Sequence, residues 1–215
     1  MKNTKLVWLA SYPRSGNTLL RTILWQCFSL RSTSIYSNDL GGNRRLEEYV
    51  GHIEKGADRQ FQFTENELLL VKTHEHAKDN NPAIYIIRDG RAACVSLWEF
   101  HNKSHPLEVV IDGRHMYGTW ANHVKSWNPW ERPNTLLLEY EDLLNNLPET
   151  LDRISKFLKR SIISGSVPDR NTIASIDGQW VRTKNNWRSE LSGDLLKRFN
   201  QINKDILEKA GYLER

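Results

Sequence analysis

The strongest constraint on the fold is a set of four short, almost continuously apolar runs separated by helical patterns. These runs cover residues 6–11 (LVWLAS), 68–73 (LLLVKT), 83–87 (AIYII) and 135–140 (TLLLEY). Strands without a polar face are typical of parallel sheets that are covered by helices on both sides. The alternation of strand and helix therefore predicts a three-layer α/β fold, with a central parallel sheet flanked by helices.

Apolar residues recur at helical spacing between and after these runs. The predicted helices cover residues 18–28, 91–100, 117–127, 148–158 and 192–210. Pro148 suits a first helical turn, Ser192 a helix cap and Gly211 a helix stop. The segments 31–64 and 161–186 are rich in Ser, Asn, Gly and charge, and they are predicted to be loops or lids.

The composition is that of an ordinary globular chain of 215 residues, which suits one domain over residues 1–215. The net charge of +4 fits an anionic ligand such as a nucleotide, and the sequence has no dense basic arm for nucleic acid. Cys27 and Cys94 lie in apolar helical patterns, so no disulfide framework is expected. Without a secretion signal or an apolar run long enough to span a bilayer, the sequence predicts a cytoplasmic protein with no membrane span.

The stretch ASYPRSGNTLLRTILW, residues 10–25, joins a predicted strand to a predicted helix through a glycine-containing turn. The first N–H groups of a helix have no intrahelical acceptor, and the helix dipole adds partial positive charge there. Gly16 permits close backbone approach to a ligand, and Arg14 adds a fixed charge. Ser15 and Thr18 offer hydroxyl donors. The stretch predicts a phosphate-binding loop, with an ordinary capped turn as the alternative.

This loop differs from the usual nucleotide-triphosphate loop. That loop needs a second Gly followed by Lys and Ser or Thr, and neither Gly-Lys-Ser nor Gly-Lys-Thr occurs in the sequence. No apolar run ends in an obvious magnesium-binding Asp either. We therefore expect a phosphate ligand that binds without a metal.

Two further strand ends carry candidate functional groups. Arg88 follows the third apolar run, and Ser96 lies eight residues later on the next helix, so both can converge on one phosphate. The sequence RDGR is also common in ordinary turns, which is the alternative.

His74 lies two residues after Lys72, at the end of the second run. A histidine in this place is often structural, but its unperturbed pKa of about 6.5 also suits a general base.

Residues 12–18, Tyr-Pro-Arg-Ser-Gly-Asn-Thr, resemble the 5′-phosphosulfate loop of sulfotransferases, Tyr-Pro-Lys-Ser-Gly-Thr-Thr, with Arg14 in place of the usual Lys. Arg88 and Ser96 have the spacing of the family's 3′-phosphate motif, and residues 72–74 resemble its Lys-Thr-His. The resemblance implies a P-loop-like fold and 3′-phosphoadenosine 5′-phosphosulfate (PAPS) as sulfuryl donor, with PAP as product and no metal.

The resemblance also implies the roles of individual residues. His74 would take the proton of the acceptor, Lys72 would steady the sulfuryl oxygens, and Tyr140 would lie against the adenine. The implied catalytic residues are His74, Lys72 and Arg14, and the implied donor-binding residues are Arg14, Ser15, Gly16, Asn17, Thr18, Arg88, Ser96, Tyr140, Arg182 and Lys184.

The sequence departs from the family pattern in two places. Leu19 occupies the position of a Trp that usually packs on the adenine. Residues 181–188 only partly match the family's Arg-Lys-Gly segment and the Gly-Asp-Trp that follows it. Trp187 has a clear counterpart there, whereas the 3′-phosphate contact is left open among Arg182, Lys184 and Arg188.

The sequence thus predicts a sulfotransferase that acts on a hydroxyl or amine of a small-molecule acceptor. Residues 31–64 and 101–118 are expected to line the acceptor pocket. Two alternatives remain: a small-molecule kinase that uses ATP on a related fold, and a non-catalytic anion-binding module. The acceptor's identity and the oligomeric state are not determined by the sequence.

Overall fold

The computed structural model describes residues 5–53, 68–178 and 187–213, and within them five parallel strands form one sheet in the order β2-β3-β1-β4-β5. The strands are β1 (Lys5–Ser11), β2 (Thr33–Ser34), β3 (Leu68–Thr73), β4 (Ala83–Ile87) and β5 (Thr135–Glu139). The four predicted strands are therefore confirmed. Since all the strands are parallel, their carboxyl ends lie at one edge of the sheet.

Helices connect and flank these strands. They are α1 (Asn17–Phe28), α2 (Arg44–Val50), α3 (Gly90–Phe100), α4 (Leu107–Ile111), α5 (Trp120–Trp127), α6 (Tyr140–Asn145), α7 (Leu147–Leu158), α8 (Arg170–Ile176), α9 (Trp187–Glu190) and α10 (Gly193–Lys209), with a 3₁₀ turn at Asp39–Gly42. Among the described residues, no helix is both long and apolar enough to cross a membrane.

Alternate residues of the central strands pack into two separate cores. Tyr85 and Ile87 of β4 contribute to a core shared with α3, α5 and α10. Ile84 and Ile86 contribute to a second core shared with α1 and α7. Because successive side chains of a strand point to opposite faces, the sheet is covered on both sides. This arrangement confirms the predicted three-layer α/β fold.

Residues that were expected to be loops contain regular structure. The first predicted loop, 31–64, includes β2, the 3₁₀ turn and α2, and the second, 161–186, includes α8. The 3₁₀ turn, α2 and α8 pack through a small third core of Leu40, Leu46, Val50 and Ile173, and β2 pairs with β3. Each element is too short for a periodic apolar pattern to be visible in sequence. Of the predicted loops or lids, the loop prediction is therefore wrong where these elements lie.

Several predicted boundaries shift slightly. Tyr140 was expected to end a strand but begins α6, and α5 starts at Trp120 rather than at residue 117 because Gly118 has a φ of +67° and Thr119 caps the helix. Ser192 does occupy the cap position of α10, but its side chain makes no capping hydrogen bond. The two cysteines are buried and free, as expected.

Candidate functional site

A cavity of about 490 Å³ opens at the carboxyl edge of the sheet, and the ends of all five strands approach it. It is lined by Pro13, Arg14, Gly16, Asn17, Thr18, Leu19, Thr22, Tyr36, Asn38, Asp39, Lys72, His74, Arg88, Ser96, Leu97, Phe100, His101, Tyr117, Tyr140, Leu143, Leu144, Leu147, Val167, Pro168, Asp169 and Ile173. Two parts of its wall are distinguished below. The Arg14–Arg88 side comprises Arg14, Arg88, Ser96, Phe100 and Tyr140, and the His74 side comprises Tyr36, Asp39, Lys72, His74 and Tyr117.

The loop between β1 and α1 has the backbone geometry of an anion-binding turn. Arg14 has a φ of +65°, and Gly16, with a φ of +100°, precedes the first helical residue. A Cβ atom at Gly16 would lie 2.5 Å from Cδ2 of Tyr140, so the close packing of this ring requires glycine. The N–H groups of the first turn of α1 lack intrahelical acceptors, which makes them available to an anion.

Two side chains of this loop carry buried polar atoms that have no hydrogen-bond partner in the described part of the chain. They are Ser15 Oγ and Asn17 Oδ1. The amide of Asn17 also donates from Nδ2 to the carbonyl oxygen of Leu9 at 2.8 Å, which ties the start of α1 to β1. Buried polar atoms normally have partners, so such orphans at a helix start fit a site that is completed by a ligand.

The two predicted anion-binding junctions meet on the Arg14–Arg88 side. Arg88 donates from Nη1 to the carbonyl oxygen of Arg14 at 2.7 Å, and Arg14 donates from Nε to Oγ of Ser96 at 3.3 Å. The guanidinium of Arg14 also lies over the Phe100 ring at 4.8 Å, and that of Arg88 over the Tyr140 ring at 4.4 Å. Junctions from separate strands therefore form one cationic wall.

His74 is held in a single orientation on the opposite wall. Its Nδ1 lies 2.8 Å from the carbonyl oxygen of Ser11. Because a carbonyl only accepts hydrogen bonds, Nδ1 carries the proton and Nε2 keeps its lone pair. Burial lowers the pKa of His74 well below its usual range, and the nearby Lys72 ammonium lowers it further. The Tyr36 ring stacks on the imidazole at 5.9 Å, and Tyr117 meets it edge-on at 6.1 Å. The imidazole of His74 is therefore neutral at pH 7.

A second buried histidine supports this position from behind. His123 donates from Nε2 to the carbonyl oxygen of His74 at 3.1 Å and accepts at Nδ1 from the Tyr85 hydroxyl at 2.9 Å. Burial, with His76 nearby, lowers the pKa of His123 to about 3. His123 therefore stays neutral and holds the backbone of residue 74 in place.

Lys72 lines the cavity and belongs to a network of buried charges. Its Nζ donates to Oδ1 of Asp39 at 2.5 Å, and Arg21 donates from Nη1 to Oδ2 of the same carboxylate at 2.5 Å. Burial would raise the pKa of Asp39, but Lys72 and Arg21 outweigh it and lower that pKa to about 2. The carboxylate is therefore ionised between two cations.

The residues present fit an adenosine bisphosphate. Arg14, Lys72 and Arg88 contribute positive charge to the wall, and the Ser15 hydroxyl, a donor without a partner in the described residues, lies just before α1. An aliphatic part of the wall lies close to Tyr140 and could contact a base; it consists of Leu19, Leu143, Leu144, Leu147 and Val167. Charge and apolar surface are thus combined as an anionic nucleotide requires.

A family model described as the sulfotransferase domain matches residues 4–192 of the chain. The chain belongs to the sulfotransferase family. Among curated relatives, it is 27% identical over 175 residues to human sulfotransferase 1E1, covering 71% of this chain and 58% of that protein. It is also 27% identical over 166 residues to a 3-alpha-hydroxysteroid sulfotransferase of Cavia porcellus, with the same coverage. The chain thus spans less than two thirds of the length of these relatives.

Solved structures of sulfotransferases share this fold. A retinol dehydratase solved with retinol and PAP has a TM-score of 0.68 at 22% identity, covering 94% of this chain and 81% of that one. A mouse sulfotransferase solved with PAP has a TM-score of 0.56 at 19% identity, covering 95% and 84%. The predicted P-loop-like fold and the resemblance to the sulfotransferase family are both confirmed.

Most residues predicted from the family motifs line the one cavity: Arg14, Gly16, Asn17, Thr18, Lys72, His74, Arg88, Ser96 and Tyr140. Ser15 is buried next to them. Arg182 and Lys184 lie in residues 179–186, outside the described residues, so their predicted role in binding the donor stays a prediction. Trp187 begins α9 and packs its ring under the guanidinium groups of Arg91 and Arg188.

The motifs did not indicate Asp39, Arg21, Tyr36 or Phe100. The sequence did contain a sign of Arg21, because this charged residue interrupts the apolar pattern of α1. Its neighbours in that helix are buried. No comparable signal exists for Asp39, which lies in a polar segment. Residues 31–64 and 101–118 contribute Tyr36, Asp39 and Tyr117, among others, to the cavity wall. That these segments line the acceptor pocket stays a prediction.

Proposed function

We propose that this chain transfers a sulfuryl group from PAPS to a hydroxyl or amine of a small-molecule acceptor, without a metal. The observation that supports this most is the meeting of two cationic junctions and a neutral histidine in one cavity. Bound PAPS would supply an activated sulfuryl group whose leaving group is the 5′-phosphate of PAP. The residues of the chain would bind it, orient it and move one proton.

The Arg14–Arg88 side would hold the nucleotide. Arg14, Thr18 and the first N–H groups of α1 would bind the 5′-phosphate, and Arg88 with Ser96 would bind the 3′-phosphate. Charge-assisted contacts of this kind contribute about 1.5–3 kcal/mol each. Tyr140 would contact the adenine. Holding both phosphates fixes the position of the sulfuryl group along the cavity, and such positioning is the main catalytic resource in transfers of this type.

The His74 side would activate the acceptor. His74 Nε2 would accept the proton of the acceptor hydroxyl or amine while the acceptor atom bonds to sulfur and the bond from sulfur to the 5′-phosphate oxygen breaks. Lys72 would offset the charge that develops on the sulfuryl oxygens. The acceptor would lie against Tyr36 and Tyr117, whose rings flank His74.

Turnover of PAPS in the presence of alcohols, phenols, sugars and amines tests the proposal. We expect one class of acceptor to gain the mass of one sulfuryl group, with one PAP released per product. If no acceptor gains this mass, or if PAP appears without product, the proposal is wrong.

Thermal unfolding separates this function from the two alternatives. PAP should stabilise the protein without magnesium, whereas a kinase would be stabilised by Mg-ATP. A non-catalytic anion-binding module would show steep salt dependence and would not distinguish PAP from adenosine 5′-monophosphate.

A further inference from the structure

Asp39 lies between two cations of the cavity wall. It is the first residue of the 3₁₀ turn that follows β2, and its side chain is 2% exposed. Each of its oxygens accepts from a different cation, Oδ1 from Lys72 and Oδ2 from Arg21, both at 2.5 Å. A carboxylate bound in this way has a fixed orientation, and so do the groups that donate to it.

Arg21 fixes the far end of this arrangement. Its side chain is fully buried in α1, and it donates from Nε to Oγ of Ser32 at 2.8 Å. Its Nη2 lies 2.7 Å from Nδ1 of His52. Arg21 thus connects α1 to residues on either side of the β2–α2 segment, and Asp39 is anchored to that framework.

The position of the Lys72 ammonium depends on its hydrogen bond to Asp39. A lysine side chain has four rotatable bonds, and holding its ammonium in one place costs conformational entropy unless a partner fixes it. Lys72 and His74 are two residues apart at the end of β3, and both line the cavity. The ammonium also lies 5.6 Å from the centre of the Tyr36 ring, which stacks on His74. Asp39 therefore holds the charge of Lys72 on the His74 side.

The Asp39 carboxylate also favours the protonated form of Lys72. Burial lowers the pKa of Lys72, the Arg21 and Arg14 guanidinium groups lower it further, and Asp39 opposes them. The charged and titratable groups around Lys72 are Asp39, Arg21, Arg14, His74 and Tyr36. Removal of Asp39 would leave an ammonium surrounded by burial and positive charge, and such an ammonium loses its proton at lower pH.

We propose that Asp39 is a positioning residue for sulfuryl transfer, which holds the Lys72 ammonium at the cavity wall beside His74. The inference rests on the proposed function. A direct contact between Asp39 and a cationic acceptor is disfavoured, because both carboxylate oxygens already accept from buried cations. Asp39 acts through Lys72 and not on the substrate.

A double-mutant cycle tests whether Asp39 acts through Lys72. Asp39→Asn should lower kcat by about tenfold or more, while the affinity for PAP changes by less than about threefold, since PAP lacks the sulfuryl group. In a Lys72→Met background, the same substitution should change kcat by less than about twofold. Equal losses in both backgrounds, or a fall in PAP affinity as large as the fall in kcat, would overturn the proposal.

Asp205→Asn is the matched control. Asp205 accepts from Lys125 at 3.2 Å, but this Lys–Asp pair is exposed and lies outside the cavity. The same chemical change there should leave kcat within about twofold of the wild type. A loss comparable to that of Asp39→Asn would mean that any broken Lys–Asp pair reduces activity, and would overturn the specific role of Asp39.

A measurement on the ligand-free protein does not depend on activity. With lysine labelled at Cε with ¹³C, and the Lys72 signal assigned from the Lys72→Met spectrum, NMR follows the titration of the ammonium. Asp39→Asn should move the Lys72 midpoint to lower pH by about one pH unit or more. An unchanged midpoint would overturn the proposal. If the wild type transfers no sulfuryl group, the proposed function fails and the catalytic role fails with it, while the titration still decides whether Asp39 holds Lys72.

Asp39→Asn leaves the buried guanidinium of Arg21 without its carboxylate, which can prevent folding. The double variant Arg21→Met/Asp39→Asn removes both charges and serves as the second test. Cooperative unfolding on heating would show how much of this variant is folded. The kcat of that folded fraction should be reduced about as much as expected for Asp39→Asn. A wild-type kcat in this folded variant would overturn the proposal.

Discussion

The Arg14–Arg88 side and the His74 side of the cavity are built in different ways. On the first, the polar groups come from strand ends and from the helices that follow them directly, as Arg88 and Ser96 do on β4 and α3. On the second, Lys72 depends on Asp39, 33 residues away in a segment that looks like a loop in the sequence. The groups proposed to bind the nucleotide are thus encoded in local motifs, whereas the surroundings of His74 are assembled by long-range contacts.

Substitution of His74 gives the largest expected effect and tests whether the two sides are separable. His74→Ala should lower turnover by about 10²–10⁴-fold, because it removes the proton acceptor. Calorimetric binding of PAP should remain within about twofold of the wild type. His105→Ala, at a half-buried histidine that does not line the cavity, is the control and should retain activity. Near-normal turnover of His74→Ala would remove this residue from the proposed role.

Substitution of Arg88 should have the opposite pattern. Arg88→Ala should weaken PAP binding by about 10- to 100-fold, since it removes a charge-assisted contact. Turnover at saturating donor should fall much less. Arg114→Ala changes the net charge equally but at a surface pair with Asp112, so it should leave PAP binding unchanged. A change in turnover alone would contradict the assignment of Arg88 to the phosphate.

Substitution of Ser15, next to Arg14, separates an effect on ligand binding from an effect on stability. Its buried Oγ has no partner within the described residues, so Ser15→Ala should not lower the free energy of unfolding in urea. If the hydroxyl belongs to the phosphate site, PAP affinity should fall by about 2- to 12-fold. Loss of stability with unchanged affinity would show that the hydroxyl serves the fold.

The pH dependence of kcat/KM gives the smallest expected effect. His74 must be neutral to accept a proton, and its lowered pKa keeps it neutral as the pH falls. We expect less than about a twofold loss between pH 7.5 and 6, whereas a histidine with a pKa of about 6.5 would lose about three quarters of its activity. An acid limb centred near pH 6.5 would show that the free protein does not bury His74 in this way.

The lowered pKa of His74 also makes the free energy of unfolding depend on pH. The folded state binds fewer protons at His74 than the unfolded state does, so the contribution of this group to stability is present above its unfolded pKa of about 6.5 and falls as the pH drops below it. His123 acts in the same direction, and its contribution falls between about pH 6.5 and its folded pKa of about 3. Acid should therefore lower the free energy of unfolding as the pH falls below about 6.5.

Much of the fold was predictable because long buried elements leave a visible pattern. The four apolar runs became β1, β3, β4 and β5 with boundaries within a residue, and the turn at Gly16 was expected from its neighbours. The two-residue β2 and the seven-residue α2 and α8 were missed. Elements this short owe their form to tertiary contacts and not to any periodicity of their own. Here α2 and α8 pack around Leu40, and β2 pairs with β3.

The sequence by itself determined the family, the three-layer parallel sheet and the two cationic junctions, because each depends on residues that are close together in the chain. Only the tertiary structure decided that Arg88 meets the backbone of Arg14, that Nε2 of His74 keeps its lone pair, and that Asp39 stands between Lys72 and Arg21. The physical reason is that hydrogen-bond geometry and buried charge pairing depend on distances across the sheet, and these distances have no counterpart in sequence spacing.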